Sequence, residues 1–243
     1  MSDSVSDVGD GASSPELVAV ARELLERVRR QEPPTGPLRT LAEASHGSRE
    51  TVRSDRRHGL AFWLNVYNAA AQLLLEARPE LFDSRWRFFR TPAITVAGSE
   101  LSLDDIEHGL LRDRRSKYGL GYLPRLSTTG LPRAYRFEPD PRFHFALNCG
   151  AANCPAILAY EAETIGETLD DATRMYLDRT VEYDSDRNRL RLPRVCLWFI
   201  GDFGGRSGLR SFLRTFDQIP RDSSPSLRFQ RYDWSEASRA FAE

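Results

Sequence analysis

Two cysteines near the middle of the chain are the residues best suited to chemistry. Cys149 and Cys154 lie in the segment FHFALNCGAANCPAI, where Cys149 precedes Gly150 and two alanines. A thiol followed by small residues leaves room for a substrate carbonyl and becomes a nucleophile once an imidazole lowers its pKa. The backbone N–H groups of the Gly-Ala-Ala turn are placed to serve the oxyanion that such an attack creates. We therefore predict that Cys149 is the nucleophile of an acyl-group reaction.

The imidazole that this chemistry requires has two candidates, His108 and His144. The alternation of apolar residues predicts a strand over 143–147, and His144 and Cys149 then face opposite sides of the sheet. This parity favours His108 as the base and leaves open whether His144 lines the site. Glu107 precedes His108 in SLDDIEHGLLRD. Because adjacent helical side chains point about 100° apart, we do not expect Glu107 to orient that imidazole directly.

Two amides in the segment FWLNVYNAA are candidates for the third member of the constellation. Asn65 and Asn68 are three residues apart, on the same face of an otherwise apolar helix. An unpaired buried amide costs about 1–3 kcal/mol. Each amide is therefore expected either to bind neighbouring backbone or to hold a catalytic side chain. In the enzyme hypothesis one of them holds His108, as in a Cys-His-Asn arrangement that acts on an amide, ester or thioester.

A second hypothesis, from another functional class, is a non-catalytic binding module. Its pocket would be walled by Trp63, Tyr67 and segment 115–140, a long stretch without a clear period that is typical of a binding loop. Glu107 and Arg112, with the histidine between them, would then only lock their helix in place. In the enzyme hypothesis, Arg112 either binds a substrate carboxylate or ties the helix to the core.

The same residues could also be zinc ligands. Cys149, Cys154 and His108, with or without His144, have ligand chemistry, but the chain has no CxxC or paired-histidine motif. The metal signal is weak, so we predict no metal and no other cofactor.

The elements that must position these residues follow from apolar periodicity and from capping and breaking residues. Ser14 is the expected N-cap of the first helix, and a capping box of Thr164 and Glu167 is expected to open a later one. Segment 60–77 is apolar nearly all the way round, which is typical of a central, enclosed helix. Further helices are predicted over 80–89, 102–112, 164–178, 195–203 and 209–216, hairpins over 94–101 and 181–192, and strands over 143–147 and 227–232.

Composition excludes several classes of protein. The chain has 243 residues, of which 40% are hydrophobic, and its 34 basic and 35 acidic side chains nearly cancel, so no global field attracts nucleic acid. The apolar stretch 59–77 carries Asn65, Asn68, Gln72 and Glu76, which makes it a poor bilayer span. Nothing resembles an export signal, and three cysteines form no even disulfide framework. We expect a cytoplasmic protein that binds a small molecule or peptide but neither nucleic acid nor membrane; a protein partner stays open.

Four motifs follow one another along the chain: FWLNVYNAA, LSLDDIEHGLLR, FALNCGAANCP and DFGG. In these motifs and their order the chain resembles the domain-of-unknown-function family numbered 547. The resemblance covers about 59–216. It implies no known reaction; plant relatives carry the domain beside coiled coils, which implies interaction or scaffolding as much as catalysis. Plant-like members often have serine at Cys154, which implies that this position is not an indispensable ligand. The motif residues matched here are Trp63, Asn65, Tyr67, Asn68, Glu107, His108, Arg112, Phe145, Ala146, Leu147, Cys149, Gly150 and Pro155.

The expected architecture is a single α+β domain over 14–243, preceded by a disordered tail at 1–13. It is mainly helical, with a small, mostly antiparallel sheet around a central buried helix. The expected function is that of a cysteine-dependent hydrolase or acyl transferase, with the binding module as the alternative.

Overall fold

The computed structural model describes residues 13–45, 55–125, 137 and 140–242. Helices predominate over short strands, which confirms the predicted α+β class. The helices are α1 (Ser14–Arg30), α2 (Thr35–Glu43), α3 (Arg56–Ala77), α4 (Arg85–Arg90), α5 (Ile165–Thr180), α6 (Val195–Trp198) and α7 (Gly205–Thr215). The strands are β1 (Pro92–Val96), β2 (Ser99–Ser102), β3 (Glu182–Asp184), β4 (Arg189–Leu192) and β5 (Ser226–Phe229). Two 3₁₀ segments (Pro79–Leu81 and Pro141–Phe145) and a π-helix (Asp105–Leu111) complete the described elements.

Helix α3 lies at the centre of the larger apolar cluster, as its sequence predicts. The side chain of Asp55 accepts a hydrogen bond from the backbone N–H of Arg57, so the helix begins one turn earlier than the expected position 60. Helix α1 packs along it. Within the described ranges, no helix is both long enough and apolar enough to cross a bilayer.

The strands form two small sheets. Strands β1 and β2 make the predicted antiparallel hairpin. Strands β3 and β4 make the second predicted hairpin, and β5 joins β4 in parallel. A second apolar cluster lies between this sheet and helices α5 and α7. The small, mostly antiparallel sheet structure agrees with the prediction.

Two expected helix starts were wrong in detail. Ser13, not Ser14, caps α1: the side chain of Glu16 accepts from the Ser13 N–H at 2.6 Å, and the Ser13 hydroxyl accepts from the Glu16 N–H. The rest of the predicted tail, 1–12, lies outside the described residues. Helix α5 follows Thr164 as expected, but the Thr164 side chain makes no capping hydrogen bond.

The strand predicted over 143–147 is wrong. Pro141–Phe145 is a 3₁₀ turn, because the Asp140 side chain accepts from the Arg142 N–H and Pro141 favours a helical start. Residues 143–147 are all buried, so their alternation did not mark two different faces. The parity argument that separated His144 from Cys149 therefore fails.

The helix predicted over 102–112 is only partly regular. Residues 103–104 are α-helical, and the backbone then widens into the π-helix. The Arg112 N–H, which follows the π-helix, donates to the Glu107 carbonyl at 2.9 Å. Such insertions often occur at functional sites. The following segment, 115–140, is described only at 115–125, 137 and 140, and an isolated bridge joins Arg115 to Pro124.

Candidate functional site

A cavity of about 410 Å³ lies where four parts of the chain meet. These are α3, the π-helix, the loop 146–155 that carries both cysteines (the cysteine loop) and the C-terminal segment 230–242. Tyr67 of α3 and both Glu107 and His108 of the π-helix border it, as do both sulfur-bearing residues, Cys149 and Cys154. Its remaining walls are mainly aromatic: Trp86, Phe89, Tyr118, Tyr176, Trp198, Phe199, Tyr232 and Trp234. The cavity thus gathers two thiols, the carboxyls of Asp104 and Glu107, the imidazoles of His108 and His144 and the ammonium of Lys117 within largely apolar walls.

The two thiols form a pair. Cys149 Sγ lies 2.9 Å from Cys154 Sγ. The Cys154 sulfur also accepts from the backbone N–H of Cys149 at 3.2 Å and lies 3.3 Å from the Tyr232 hydroxyl. The N–H of Ala151 is directed at the same sulfurs. Several donors therefore converge on Cys154 Sγ, and this is the position where a negative charge is best stabilised.

The pKa values of the two thiols move in opposite directions. Burial alone raises the pKa of Cys154, but hydrogen bonds from Cys149, Tyr232 and the backbone outweigh it and lower that pKa to about 7. The hydrogen bond to Cys154, together with burial, raises the pKa of Cys149 well above its usual range. Cys154 is therefore the sulfur that loses its proton first as the pH rises towards neutrality, with Cys149 as its hydrogen-bond donor. The predicted nucleophile, Cys149, lies at the site, but the more acidic sulfur is its neighbour.

The cysteine loop is held by amides. The Asn68 side chain donates to the Ala146 carbonyl at 3.0 Å and accepts from the Asn148 N–H at 2.9 Å. The Asn148 side chain in turn accepts from the Gly150 N–H at 2.8 Å. The Gly150 N–H, expected to serve an oxyanion, is therefore committed to the loop. Asn68 is a positioning residue of this loop.

Gly150 cannot be replaced without strain. Its φ is +86°, and a Cβ there would lie 2.2 Å from Leu75 Cδ1. We expect Gly150→Ala to lower the free energy of unfolding by at least about 2 kcal/mol, because a left-handed backbone costs about 1–2 kcal/mol and overpacking about 1–3 kcal/mol. Gly36→Ala is the matched control, since a Cβ at Gly36 meets nothing within 4 Å. Equal urea midpoints for the two variants would contradict this assignment.

Two predicted site residues lie away from the cavity. The Asn65 side chain donates to the Tyr160 carbonyl at 2.8 Å and accepts from the Tyr160 N–H at 2.9 Å. Both ends of its amide thus bind the Tyr160 backbone, and the expectation that it holds His108 was wrong. Trp63, expected to wall the pocket, is buried in the core with its ring edge-to-face against Phe62. Tyr67 does border the cavity, as expected.

His108 is held as a neutral imidazole. Its Nδ1 lies 2.8 Å from Arg112 Nη1, and because arginine has only donors, Nδ1 must accept. Burial and the charge of Arg112 lower the pKa of His108 well below its usual range. The ring proton is therefore on Nε2, 3.6 Å from Asp104 Oδ1. This tautomer makes Nε2 a hydrogen-bond donor, and within the described part of the chain no hydrogen bond joins His108 to either sulfur of the pair.

Glu107 is one of two carboxyl groups that border the cavity, the other being Asp104. Burial raises its pKa to about 7, and the nearby charge of Asp104 adds to the effect of burial. Its Oε2 accepts from the Tyr67 hydroxyl at 3.4 Å, and its Oε1 lies 3.7 Å from His108 Nδ1, too far for a hydrogen bond. As expected, it does not orient the imidazole directly. A carboxyl that titrates near neutrality can both donate and accept a proton.

The raised pKa of Glu107 has a consequence for stability. Between pH 4.5 and about 7 the folded carboxyl holds a proton that the unfolded one has lost. The free energy of unfolding should therefore fall as pH rises through this window, by roughly 2–3 kcal/mol more in the wild type than in Glu107→Gln. Urea unfolding at several pH values measures the difference. Glu100→Gln, at an exposed strand position, is the control and should follow the wild type; parallel curves for wild type and Glu107→Gln would refute the assignment.

Behind His108 lies a buried ionic network. Arg112 is 0% exposed, and its Nε donates to Asp202 Oδ2 at 2.7 Å. Its guanidinium lies 4.1 Å from the centroid of the Phe199 ring. Asp202 Oδ2 also accepts from His144 Nε2 at 2.9 Å. Of the two roles predicted for Arg112, the structure supports the tie to the core. His144 belongs to the same network through Asp202, and it also borders the cavity.

The site residues contributed by the C-terminal third of the chain were not predicted from the sequence. Asp202 lies in the DFGG segment, whose acidic residue after an apolar helix was the available signal. Tyr232 and Trp234 come from a segment that lies along the cysteine loop, joined by a bridge between Ala151 and Glu236. Trp198, Tyr232 and Trp234 form an aromatic cluster. No local pattern in the sequence places this cluster beside the cysteines.

The zinc alternative gains no support from geometry. Among the described residues, no group of three or more histidine, cysteine, aspartate or glutamate side chains is arranged to hold a metal ion.

The fold and the site together define an α+β protein whose partly open, aromatic-lined cavity holds a thiol pair and a buried carboxyl. The family model described as "Protein of unknown function, DUF547" matches residues 52–177, slightly more than half of the 243 residues. The chain belongs to this family, as its motifs predict. The matched region contains Glu107, Cys149 and Cys154, whereas Asp202 and Tyr232 lie beyond it. No curated protein and no solved structure matches the chain.

Proposed function

We propose that the protein is a cysteine-dependent hydrolase or acyl transferase that acts on the carbonyl of an ester, thioester or amide. The observation that carries the proposal is the convergence of donors on Cys154 Sγ at the edge of a cavity that Glu107 also borders. We assign the attack to Cys154 and the proton transfers to Glu107, in place of the Cys149 and His108 that the sequence favours.

In the first half-reaction the Cys154 thiolate attacks the carbonyl carbon and a C–S bond forms, while the carbonyl electron pair moves to oxygen. His108 Nε2–H is a donor that this oxyanion can use. As the tetrahedral species collapses, the bond to the leaving group breaks, and the leaving group takes the Glu107 proton. The product is a thioester on Cys154.

In the second half-reaction the Glu107 carboxylate takes a proton from water or from another acceptor nucleophile. That nucleophile attacks the thioester carbonyl, and the C–S bond breaks to restore the Cys154 thiolate. With water the enzyme is a hydrolase; with an amine, alcohol or thiol it is an acyl transferase. The pKa of about 7 suits Glu107 to act as acid first and as base second.

The walls of the cavity favour a substrate with a flat, apolar acyl group. Trp86 and Tyr118 are 60% and 66% exposed beside the cavity that they border, so apolar surface continues outward. Arg85, with its guanidinium 4.8 Å from the Trp234 ring centroid, lies on the same cavity and suits an anionic group on the substrate. A small molecule or the end of a peptide fits this chemistry. We propose that the reaction takes place in the cytoplasm.

The test is capture of the acyl-enzyme. Reduced protein is mixed with aryl esters of aromatic and short aliphatic acids, quenched in acid and analysed by intact mass and peptide mapping. We expect one acyl group on Cys154, formed faster from the aromatic ester. No adduct on either cavity cysteine with any ester would refute the enzyme.

The binding module remains the alternative, and one observation favours it: His108 makes no hydrogen bond to either thiol among the contacts of the described residues. In that case aromatic carboxylates should quench tryptophan fluorescence saturably, while no acyl adduct forms. Trp86, Trp198 and Trp234 border the cavity and supply the signal.

A further inference from the structure

We propose that Cys149 and Cys154 form a reversible disulfide when a hydroperoxide enters the cavity, so that the pair is also a two-electron redox site. This inference needs only the thiol pair and the cavity, and it does not depend on the acyl chemistry proposed above.

The two sulfurs of the pair are already close together. The two sulfurs are 2.9 Å apart, and a disulfide bond is about 2.05 Å long, so the atoms must approach by less than about 1 Å. Both cysteines lie on one short loop, which the Cys154 N–H closes by donating to the Ala151 carbonyl at 2.9 Å. Bond formation therefore calls for a local adjustment and not for movement of one element past another.

The pair borders the cavity, and hydrogen-bond donors favour a negative charge on one of its sulfurs. Both cysteines border the same cavity, which at about 410 Å³ admits a small hydroperoxide. The donors gathered on Cys154 Sγ mark it as the thiolate, and thiolates are the species that peroxides oxidise. A second cysteine beside a low-pKa thiolate is the usual arrangement of a redox-sensitive pair.

The chemistry balances with the hydroperoxide as oxidant. The Cys154 thiolate attacks the terminal oxygen and the O–O bond breaks. The departing alkoxide, or hydroxide when the oxidant is hydrogen peroxide, takes a proton from solvent to become an alcohol or water. Cys154 is then a sulfenic acid. The Cys149 sulfur attacks that sulfur, the S–O bond breaks, and the hydroxyl leaves as water with the thiol proton. The two sulfurs lose two electrons in all, and the peroxide gains them.

Cys196 provides a comparison within the same chain. It is also free and buried, but it lies in the second apolar cluster, and burial raises its pKa far above the usual range. It does not border the cavity. The inference therefore assigns oxidation to two of the three cysteines and leaves the third as thiol.

The experiment counts thiols. The reduced full-length chain is treated with one equivalent of hydrogen peroxide, catalase is added, and the protein is unfolded in guanidinium for titration and peptide mapping. We expect the titratable thiols to fall from three to one, with Cys149 linked to Cys154 and Cys196 free, and dithiothreitol to restore all of them. Cys196→Ser should still lose both of its thiols.

Cys149→Ser removes the second sulfur, so a sulfenic acid on Cys154 should persist and be trapped by dimedone. The inference would be overturned if the thiol count stayed at three, if Cys196 were oxidised in step with the pair, or if disulfides formed only between chains. Peptide mapping of the wild type distinguishes these outcomes, so the test holds even if a variant fails to fold. Acyl capture is measured separately on fully reduced protein. Disulfide formation without acylation would remove the proposed enzyme and keep the redox site.

Discussion

Replacing Cys154 by serine is expected to lower the rate of acyl-enzyme formation by at least about 1,000-fold, as losses of catalytic nucleophiles typically do. The reason is the charge on the attacking atom. The donors around Cys154 lower the thiol pKa to about 7, so much of it is ionised at neutral pH. A serine hydroxyl held by the same donors stays protonated and is a far weaker nucleophile. Stopped-flow release of the aryl alcohol measures the rate.

The matched control is Cys149→Ser. Serine keeps an O–H group that can donate to the Cys154 thiolate, so we expect less than about a tenfold loss of rate. Cys149→Ala removes that donor and should shift the pH dependence of acylation to higher pH, because the hydrogen bond from Cys149 helps to lower the Cys154 pKa. If Cys149→Ser abolishes acylation while Cys154→Ser retains it, the attacking sulfur is Cys149, as the sequence alone suggests.

Replacing Asp202 by alanine is expected to lower the free energy of unfolding by about 3–5 kcal/mol, the usual effect of breaking a buried ion pair. Arg112 and the Asp202 carboxylate are both 0% exposed, and the carboxylate also accepts from His144. The substitution leaves the Arg112 charge buried with its strongest partner gone. Urea unfolding followed by circular dichroism measures the change.

An exposed ion pair provides the control for Asp202→Ala. Arg191 and Glu182 are paired at 2.9 Å with side chains 58% and 60% exposed. Glu182→Ala should cost no more than about 1 kcal/mol. An Asp202→Ala protein as stable as Glu182→Ala would show that the buried network does not tie the π-helix to the core.

The helical framework could be predicted because its signals are local. Apolar residues on all faces of α3 indicate burial, and the turn at Gly98 between alternating residues predicts the β1–β2 hairpin. The strand prediction over 143–147 failed because alternation of apolar and polar types does not distinguish a strand from a 3₁₀ turn when every side chain is buried.

The candidate site could be predicted only in part. Cys149, Glu107 and His108 were found because their types and motifs are unusual. Their roles depend on contacts that the folded chain makes: Arg112 fixes the tautomer of His108, and the Tyr232 hydroxyl, 78 residues along the chain, adds to the Cys149 hydrogen bond that lowers the pKa of Cys154. Contacts of that separation leave no period or spacing in a single sequence.

The pH dependence of alkylation at Cys154 tests the central claim most directly, which is that folding makes this sulfur a thiolate near neutral pH inside the cavity. Reduced protein is treated with iodoacetamide from pH 5 to 10, and each cysteine is followed by peptide mapping. We expect Cys154 to react first, with a half-maximal rate near pH 7, ahead of both Cys149 and Cys196. A rate that rises only around pH 8.5, the ordinary value for a free thiol, or label that appears first on Cys149, would contradict the account.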